Sequence, residues 1–172
     1  FRWGKNVELF ILDTRQYRNL KKGTMLGDPQ REWFLDGIAK SPALFKFIAT
    51  SVTMAGGGSD RWDGFPKERQ QILRYINEKK IRGVVFLSAD MHYAAITNIP
   101  KSGGIKDITA GPLGAPLNRI TNGTARRFDF FLAEDFNFGK ITVDPKNEPG
   151  KASLEFIDQD NKLFYQGTLR AD

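Results

Sequence analysis

Val84-Val85-Phe86-Leu87-Ser88-Ala89-Asp90-Met91-His92 constrains this chain more than any other stretch. Four apolar residues, led by a pair of valines, run into a small-residue turn, an acid and the single histidine of the sequence. A continuous apolar run closed by a turn is the pattern of a strand buried on both faces, the kind found in the middle of an α/β sheet. Such strands present their carboxyl ends to the crevice where ligands bind. Asp90 and His92 stand two apart, so an extended backbone predicts that both side chains point the same way. Two readings stand. The carboxylate and imidazole converge to hold a metal ion or relay a proton, or the acid caps a turn and the histidine packs beneath a loop.

Upstream, Val7 through Asp13 is a second buried-strand pattern ending in an acid, and Thr14-Arg15-Gln16-Tyr17-Arg18 follows directly. Arg15 and Arg18 thus fall just past a strand's carboxyl end, where a planar fork of donors suits phosphate or carboxylate. Surface arginines paired with a local acid are the equal alternative. Gly27-Asp28-Pro29 is a helix start, with Asp28 as N-cap and Pro29 at the first helical position. Trp33, Phe34 and Ile38 recur at helical spacing, and Ser41-Pro42 ends the helix. Residues 44–54 read as a strand running into Ala55-Gly56-Gly57-Gly58, a flexible connector that lacks the lysine and serine or threonine of a phosphate loop. After the charged and aromatic loop Asp60-Arg61-Trp62-Asp63-Gly64-Phe65, Pro66 opens a helix that carries Ile72, Leu73 and Ile76 on one face and closes at Lys79-Lys80.

Strand, helix, strand, helix, strand in this order predicts an α/β fold with crossover helices. Beyond His92 the pattern changes to short strands over 94–99, 105–109, 138–143, 152–157 and 163–169, the last two forming a hairpin around Asp158-Gln159-Asp160-Asn161. Phe128, Phe130, Phe131, Phe136 and Phe138 predict aromatic filling between two layers. The formal net charge of +6 favours anionic partners such as phosphate esters. It is dispersed in pairs (Lys21-Lys22, Lys79-Lys80, Arg126-Arg127), so no dedicated nucleic-acid surface is expected. The absence of cysteine excludes disulfides and thiolate metal sites in this segment. No apolar run approaches the roughly 20 residues of a transmembrane helix. Beginning at Phe1, the 172 residues read as a single domain or as a fragment of something longer.

Taken in order, five stretches resemble one family. They are Leu12-Asp13-Thr14-Arg15-Gln16-Tyr17-Arg18, Leu26-Gly27-Asp28-Pro29-Gln30-Arg31-Glu32-Trp33-Phe34, Trp62-Asp63-Gly64-Phe65-Pro66-Lys67-Glu68-Arg69, Leu87-Ser88-Ala89-Asp90-Met91-His92 and Asp107-Ile108-Thr109-Ala110-Gly111-Pro112-Leu113. Together they are similar to the PhoD-type alkaline phosphatases and phosphodiesterases, a branch of the calcineurin-like metallophosphoesterases. The resemblance implies an αββα sandwich, with a mixed sheet and two main helices followed by antiparallel strands. It implies hydrolysis of phosphate mono- or diesters with divalent or trivalent metal ions (calcium, iron, manganese or zinc) in a dinuclear or larger site. Asp90 and His92 match the last metal-ligand motif, usually Gly-His-x-His, with Asp90 at the place of the first histidine. Arg15 is implied to orient the phosphate, Asp63 to act with it in catalysis, and Trp62 to bind substrate at the pocket wall.

Most metal ligands of that family precede the segment seen here. A two-metal phosphoesterase sets its ions about 3.5–4 Å apart, and filling their coordination takes about six or more ligands. Asp13, Asp63, Asp90 and His92 are too few. The chain is therefore expected to be the C-terminal half of such an enzyme, inactive without its N-terminal half, and by resemblance part of an exported parent. The rivals are a non-catalytic α/β module that binds an anion or a partner, and a half-domain that self-associates through an exposed sheet edge.

Overall fold

Apolar runs buried on both faces become the central strands, and apolar residues spaced by three or four become the helices that cover them. The computed structural model describes residues 1–56, 58–118, 128–146 and 148–171. Its elements are β1 (Arg2–Trp3), β2 (Val7–Leu12), α1 (Gly27–Lys40), β3 (Phe45–Thr50), a single 3-10 turn (Trp62–Gly64), α2 (Pro66–Glu78), β4 (Val84–Ser88), β5 (Ala94–Asn98), β6 (Lys106–Thr109), β7 (Phe130–Leu132), β8 (Asn137–Val143), β9 (Lys151–Asp158) and β10 (Leu163–Arg170). One sheet runs β1-β2-β3-β4-β6-β5-β7 and a second runs β10-β9-β8. In the large sheet β2, β3, β4 and β6 are mutually parallel, while β5 opposes β6 and β7.

The α/β fold expected from the element order is the one that forms. One face of the large sheet buries Phe10, Leu12, Ile48, Val84 and Phe86 against Phe34 and Ile38 of α1 and Ile72, Leu73 and Ile76 of α2. Its other face sets Phe45, Phe47, Val85, Ile96 and Ile108 against Leu154, Phe156 and Leu169 of the small antiparallel sheet. Alternate residues of β3 and β4 thus feed two different cores, which is why both strands read as unbroken apolar runs. The predicted hairpin is β9–β10, with Asn161 at the left-handed φ of 62° in its turn.

Several details differ from expectation. The strand read over 44–54 stops at Thr50. Its Lys46 is buried rather than turned to solvent, with Nζ donating to the carbonyls of Ala43 (2.5 Å) and Arg82 (3.2 Å). Asp28 is not the N-cap of α1. Leu26 occupies the N-cap position, and Asp28 lies in the first turn, where it pairs with Arg31 at 2.6 Å. Glu68, 4% exposed on the first turn of α2, accepts from the backbone N–H of Met25 and of Leu26 and from Thr24 Oγ1. Glu68 thus holds the segment leading into α1, at an end where the helix dipole favours a negative group.

The phenylalanine set does not fill a single layer. Phe130 stacks with Phe156 between the sheets, Phe128 and Phe131 pack on Tyr93, and Phe138 is exposed. Trp33 is half exposed beside Phe10. Gly57 and the pair Arg126-Arg127 lie outside the described residues. Among the described residues, no helix is long and apolar enough to cross a membrane.

Phe86 has no exposed surface and sits between the two helices at the sheet's centre. Phe86→Ala is expected to lower unfolding free energy by about 3–5 kcal/mol, read as a fall in the urea midpoint. A loss below 1 kcal/mol, about that of a surface change, would place the core elsewhere.

Candidate functional site

The four parallel strands β2, β3, β4 and β6 end on one edge, and the loops leaving them are stitched together across it. Thr14 Oγ1 bonds Ser51 Oγ between the first two. Arg18 donates to the Asp60 carbonyl at 2.5 Å, and Arg61 reaches from the same loop to Asp90 with Nε at 3.0 Å and a terminal nitrogen at 2.9 Å. Ser88 Oγ and Thr109 Oγ1, 2.8 Å apart, join β4 to β6.

β4 and β5 are separated by β6, so five residues must cross about 10 Å of sheet. That crossing overturns the extended geometry expected at Asp90 and His92. Residues 90–93 form bends, with Asp90 at φ 67° and His92 at φ 59°. Left-handed backbone at non-glycine residues is strained and persists only where its surroundings enforce it. Met91 and Tyr93 supply that enforcement, buried at 5% and 1% beside Ala95 and Ala133. Asn118 adds to it, its side chain donating to the Met91 carbonyl and its backbone N–H to the His92 carbonyl, each at 3.1 Å. The intervening Asp90 and His92 are left at the surface, and both line one pocket of about 480 Å³.

His92 Nδ1 lies 2.7 Å from the Pro116 carbonyl oxygen. A carbonyl only accepts, so in the neutral ring Nδ1 carries the proton and Nε2 keeps its lone pair. An imidazole fixed this way is prepared as a metal ligand or proton acceptor. Asp90 is held by Arg61, which sets a cation beside the carboxylate.

Of the other residues singled out from sequence, Arg15, Trp62 and Asp63 do not line this pocket. Trp62 has no exposed surface, and its indole N–H donates to Thr50 Oγ1 at 3.0 Å. A substrate-facing role for that ring is corrected: it anchors the loop in the core. The same holds for most of its motif. A Cβ at Gly64 would collide with the Ser59 carbonyl oxygen, Glu68 holds the Met25 and Leu26 N–H groups ahead of α1, and Arg69 binds both Asp63 and, at 2.7 Å, the Met54 carbonyl. Asp13 shapes its turn by accepting from the N–H groups of Gln16 and Arg15, which hold its carboxyl below the usual range.

Two groups escaped the sequence reading. Asn137, 1% exposed, clamps the loop after β6. It accepts from Gly111 N–H at 3.0 Å, donates through Nδ2 to the Gly111 carbonyl at 2.8 Å, and donates its own N–H to the Pro112 carbonyl at 3.0 Å. Asp107, wholly buried, accepts from Thr53 Oγ1 (2.7 Å) and Met54 N–H (2.8 Å) and so ties β6 to the segment after β3. Among the described residues its Oδ1 has no hydrogen-bond partner. Burial pushes this carboxyl above the usual range, against the opposing pull of its donors. Sequence offers no local signal for either residue, since their partners lie 26 and more than 50 positions away.

The sequence model of a family described as PhoD-like phosphatase matches residues 1–117. Alkaline phosphatase D of Bacillus subtilis (strain 168) is 26% identical over 158 residues, covering 75% of this chain and 27% of that protein. The chain therefore spans about a quarter of the length of this curated relative. A solved structure, described as the structure of PhoD, superposes with a TM-score of 0.76 at 19% identity, covering 99% of this chain and 40% of the other. That likeness establishes the fold.

Two measurements check this geometry. Long-range nitrogen NMR in alkaline buffer is expected to find His92 as the Nδ1–H tautomer; a predominant Nε2–H ring would remove the Pro116 bond. For Asp107, the folded chain keeps a proton over a pH range in which the unfolded chain has lost it. Stability relative to Asp107→Asn should then fall as pH rises from the ordinary aspartate value to the raised one. A difference between the two urea midpoints that stays flat with pH would show that Asp107 ionises normally.

Proposed function

This chain belongs to the PhoD-like phosphatase family, and from that membership we propose that it is the C-terminal part of a metal-dependent phosphatase or phosphodiesterase acting on phosphate mono- or diesters. The observation that carries this reading is the oriented imidazole of His92, which shares its pocket with Asp90 at the carboxyl end of the central strand. Among the described residues, no three His, Cys, Asp or Glu side chains gather closely enough to hold a metal ion. In our reading His92 and Asp90 are donors toward a calcium, iron, manganese or zinc ion whose remaining ligands lie in the N-terminal part of the whole protein.

Arg15 is exposed, and no hydrogen bond or ion pair of its guanidinium is found among the described residues. That leaves its fork available for the equatorial oxygens of a phosphate, where charge grows in the transition state. Asp63, the other acid assigned to catalysis by resemblance, is held by Arg69. We assign it to ordering the loop that carries Arg61. A whole protein exported from the cytoplasm is part of the same proposal.

The small donor set favours one rival, a non-catalytic module that binds an anion or a partner. Titration calorimetry with manganese, calcium, iron or zinc, on the whole protein and its His92→Ala variant, separates the two: our reading expects weakened binding, the rival unchanged affinity. Arg15→Ala in the whole protein is expected to lower kcat by about 100- to 1000-fold, while the 172-residue chain alone should be inactive or nearly so. Rapid phosphodiester turnover by the isolated chain would overturn the proposed division of the site. Self-association is proposed at the β1–β2 end of the large sheet, where the two-residue β1 pairs only with Val7 and Glu8 of β2; light scattering over a concentration series tests it.

A further inference from the structure

The pocket beside His92 and Asp90 is built to receive something apolar. Apart from these two residues, its lining is Ala, Gly, Pro, Leu and Phe together with Asn137. Leu113 is 81% exposed and Phe138 42% exposed. A single exposed leucine is ordinary, but two large apolar side chains sharing one concave site mark a binding surface. Its volume of about 480 Å³ falls within the range of roughly 300–1,000 Å³ typical of small-molecule sites.

The walls are also held firmly. Asn137 has no exposed surface to speak of, and its hydrogen bonds go to Gly111, Pro112 and Asp135. A buried polar side chain is thus committed to shaping an apolar loop, and the residue after it, Phe138, is delivered to the pocket. Among the described residues, no lysine or arginine lines the cavity, and Asp90 is its one acid. A sugar or polyol would leave its hydroxyls with few partners here, and unpaired polar groups are costly once water is displaced.

We propose that this pocket seats an apolar alcohol group of the substrate, so that the enzyme acts on phosphate esters of alkyl or aryl alcohols in preference to esters of sugars or glycerol. The proposal rests on the phosphoesterase reading above. The phosphate end of such a molecule lies at the rim formed by His92 and Asp90, and the hydrocarbon lies along Leu113 and Phe138.

The test uses the whole protein and a series of n-alkyl phosphate esters, with glycerol phosphate as the hydrophilic control. The expected result is a rise in kcat/KM of roughly fourfold per added methylene until the pocket is filled. The rise should be flattened in the Leu113→Ser, Phe138→Ser double variant, whose positions are exposed and should fold normally. Hydrolysis without dependence on chain length, or glycerol phosphate matching propyl phosphate, would overturn the apolar seat and leave the phosphoesterase reading intact. Failure to hydrolyse any ester would overturn that reading instead. In that event, amide shifts of the 172-residue chain titrated with hexyl phosphate, hexanol and inorganic phosphate judge the pocket alone. Shifts at Ala110, Leu113 and Phe138 caused by both hexyl compounds, and not by inorganic phosphate, support it. Their absence overturns it.

Discussion

Because β4 pairs with β3 on one side and β6 on the other, its five residues lose solvent on both faces and both edges at once. Apolar side chains and fully paired backbone satisfy that position, and its one polar side chain, Ser88, is hydrogen-bonded to Thr109. The remaining architecture follows from having two such faces to cover. Helices α1 and α2 pack on one, the β8–β10 sheet packs on the other, and the strand ends meet at a shared edge. The same constraint produces the strained residues. With β6 inserted between β4 and β5, the connection is short and must bend through left-handed backbone at Asp90 and His92. Strain of this kind is tolerated because Met91 and Tyr93 are locked beneath it.

Buried polar groups do most of the positioning along that edge. Glu68 ties α2 to the start of α1, Asp107 ties β6 to the segment after β3, and Asn137 ties the start of β8 to the loop after β6. Each satisfies backbone N–H groups that would otherwise be stranded, and each joins elements distant in sequence. Residues of the motif from Trp62 to Arg69 belong to this framework. Trp62, Gly64, Glu68 and Arg69 build the loop that brings Arg61 to Asp90, so the motif acts on the site through its neighbour.

Much was legible beforehand. The two helices, the central strand and the C-terminal hairpin followed from periodicity and turn residues, and Asp90 with His92 stood out as the acid and imidazole at a strand end. Other features were not legible for a definite reason. The burial of Lys46 is invisible in sequence because the two carbonyls that receive it come from outside its strand. Asp28 reads as an N-cap because nothing nearby reveals that the helix begins at Gly27, with its lead-in held by Glu68, forty residues on. Strands β1 and β7 are only two and three residues long, too short to show a period.

Sequence alone determined the alternation of layers, since hydrophobic pattern and turn chemistry are local properties of the chain. It also placed an acid and a histidine at the most buried strand's end. The tertiary structure decided what those two residues face. Arg61, the Pro116 carbonyl and the apolar wall of Leu113 and Phe138 arrive from loops that only the sheet order brings together. Burial, tautomer and pocket shape depend on neighbours distant along the chain, and no local pattern encodes them.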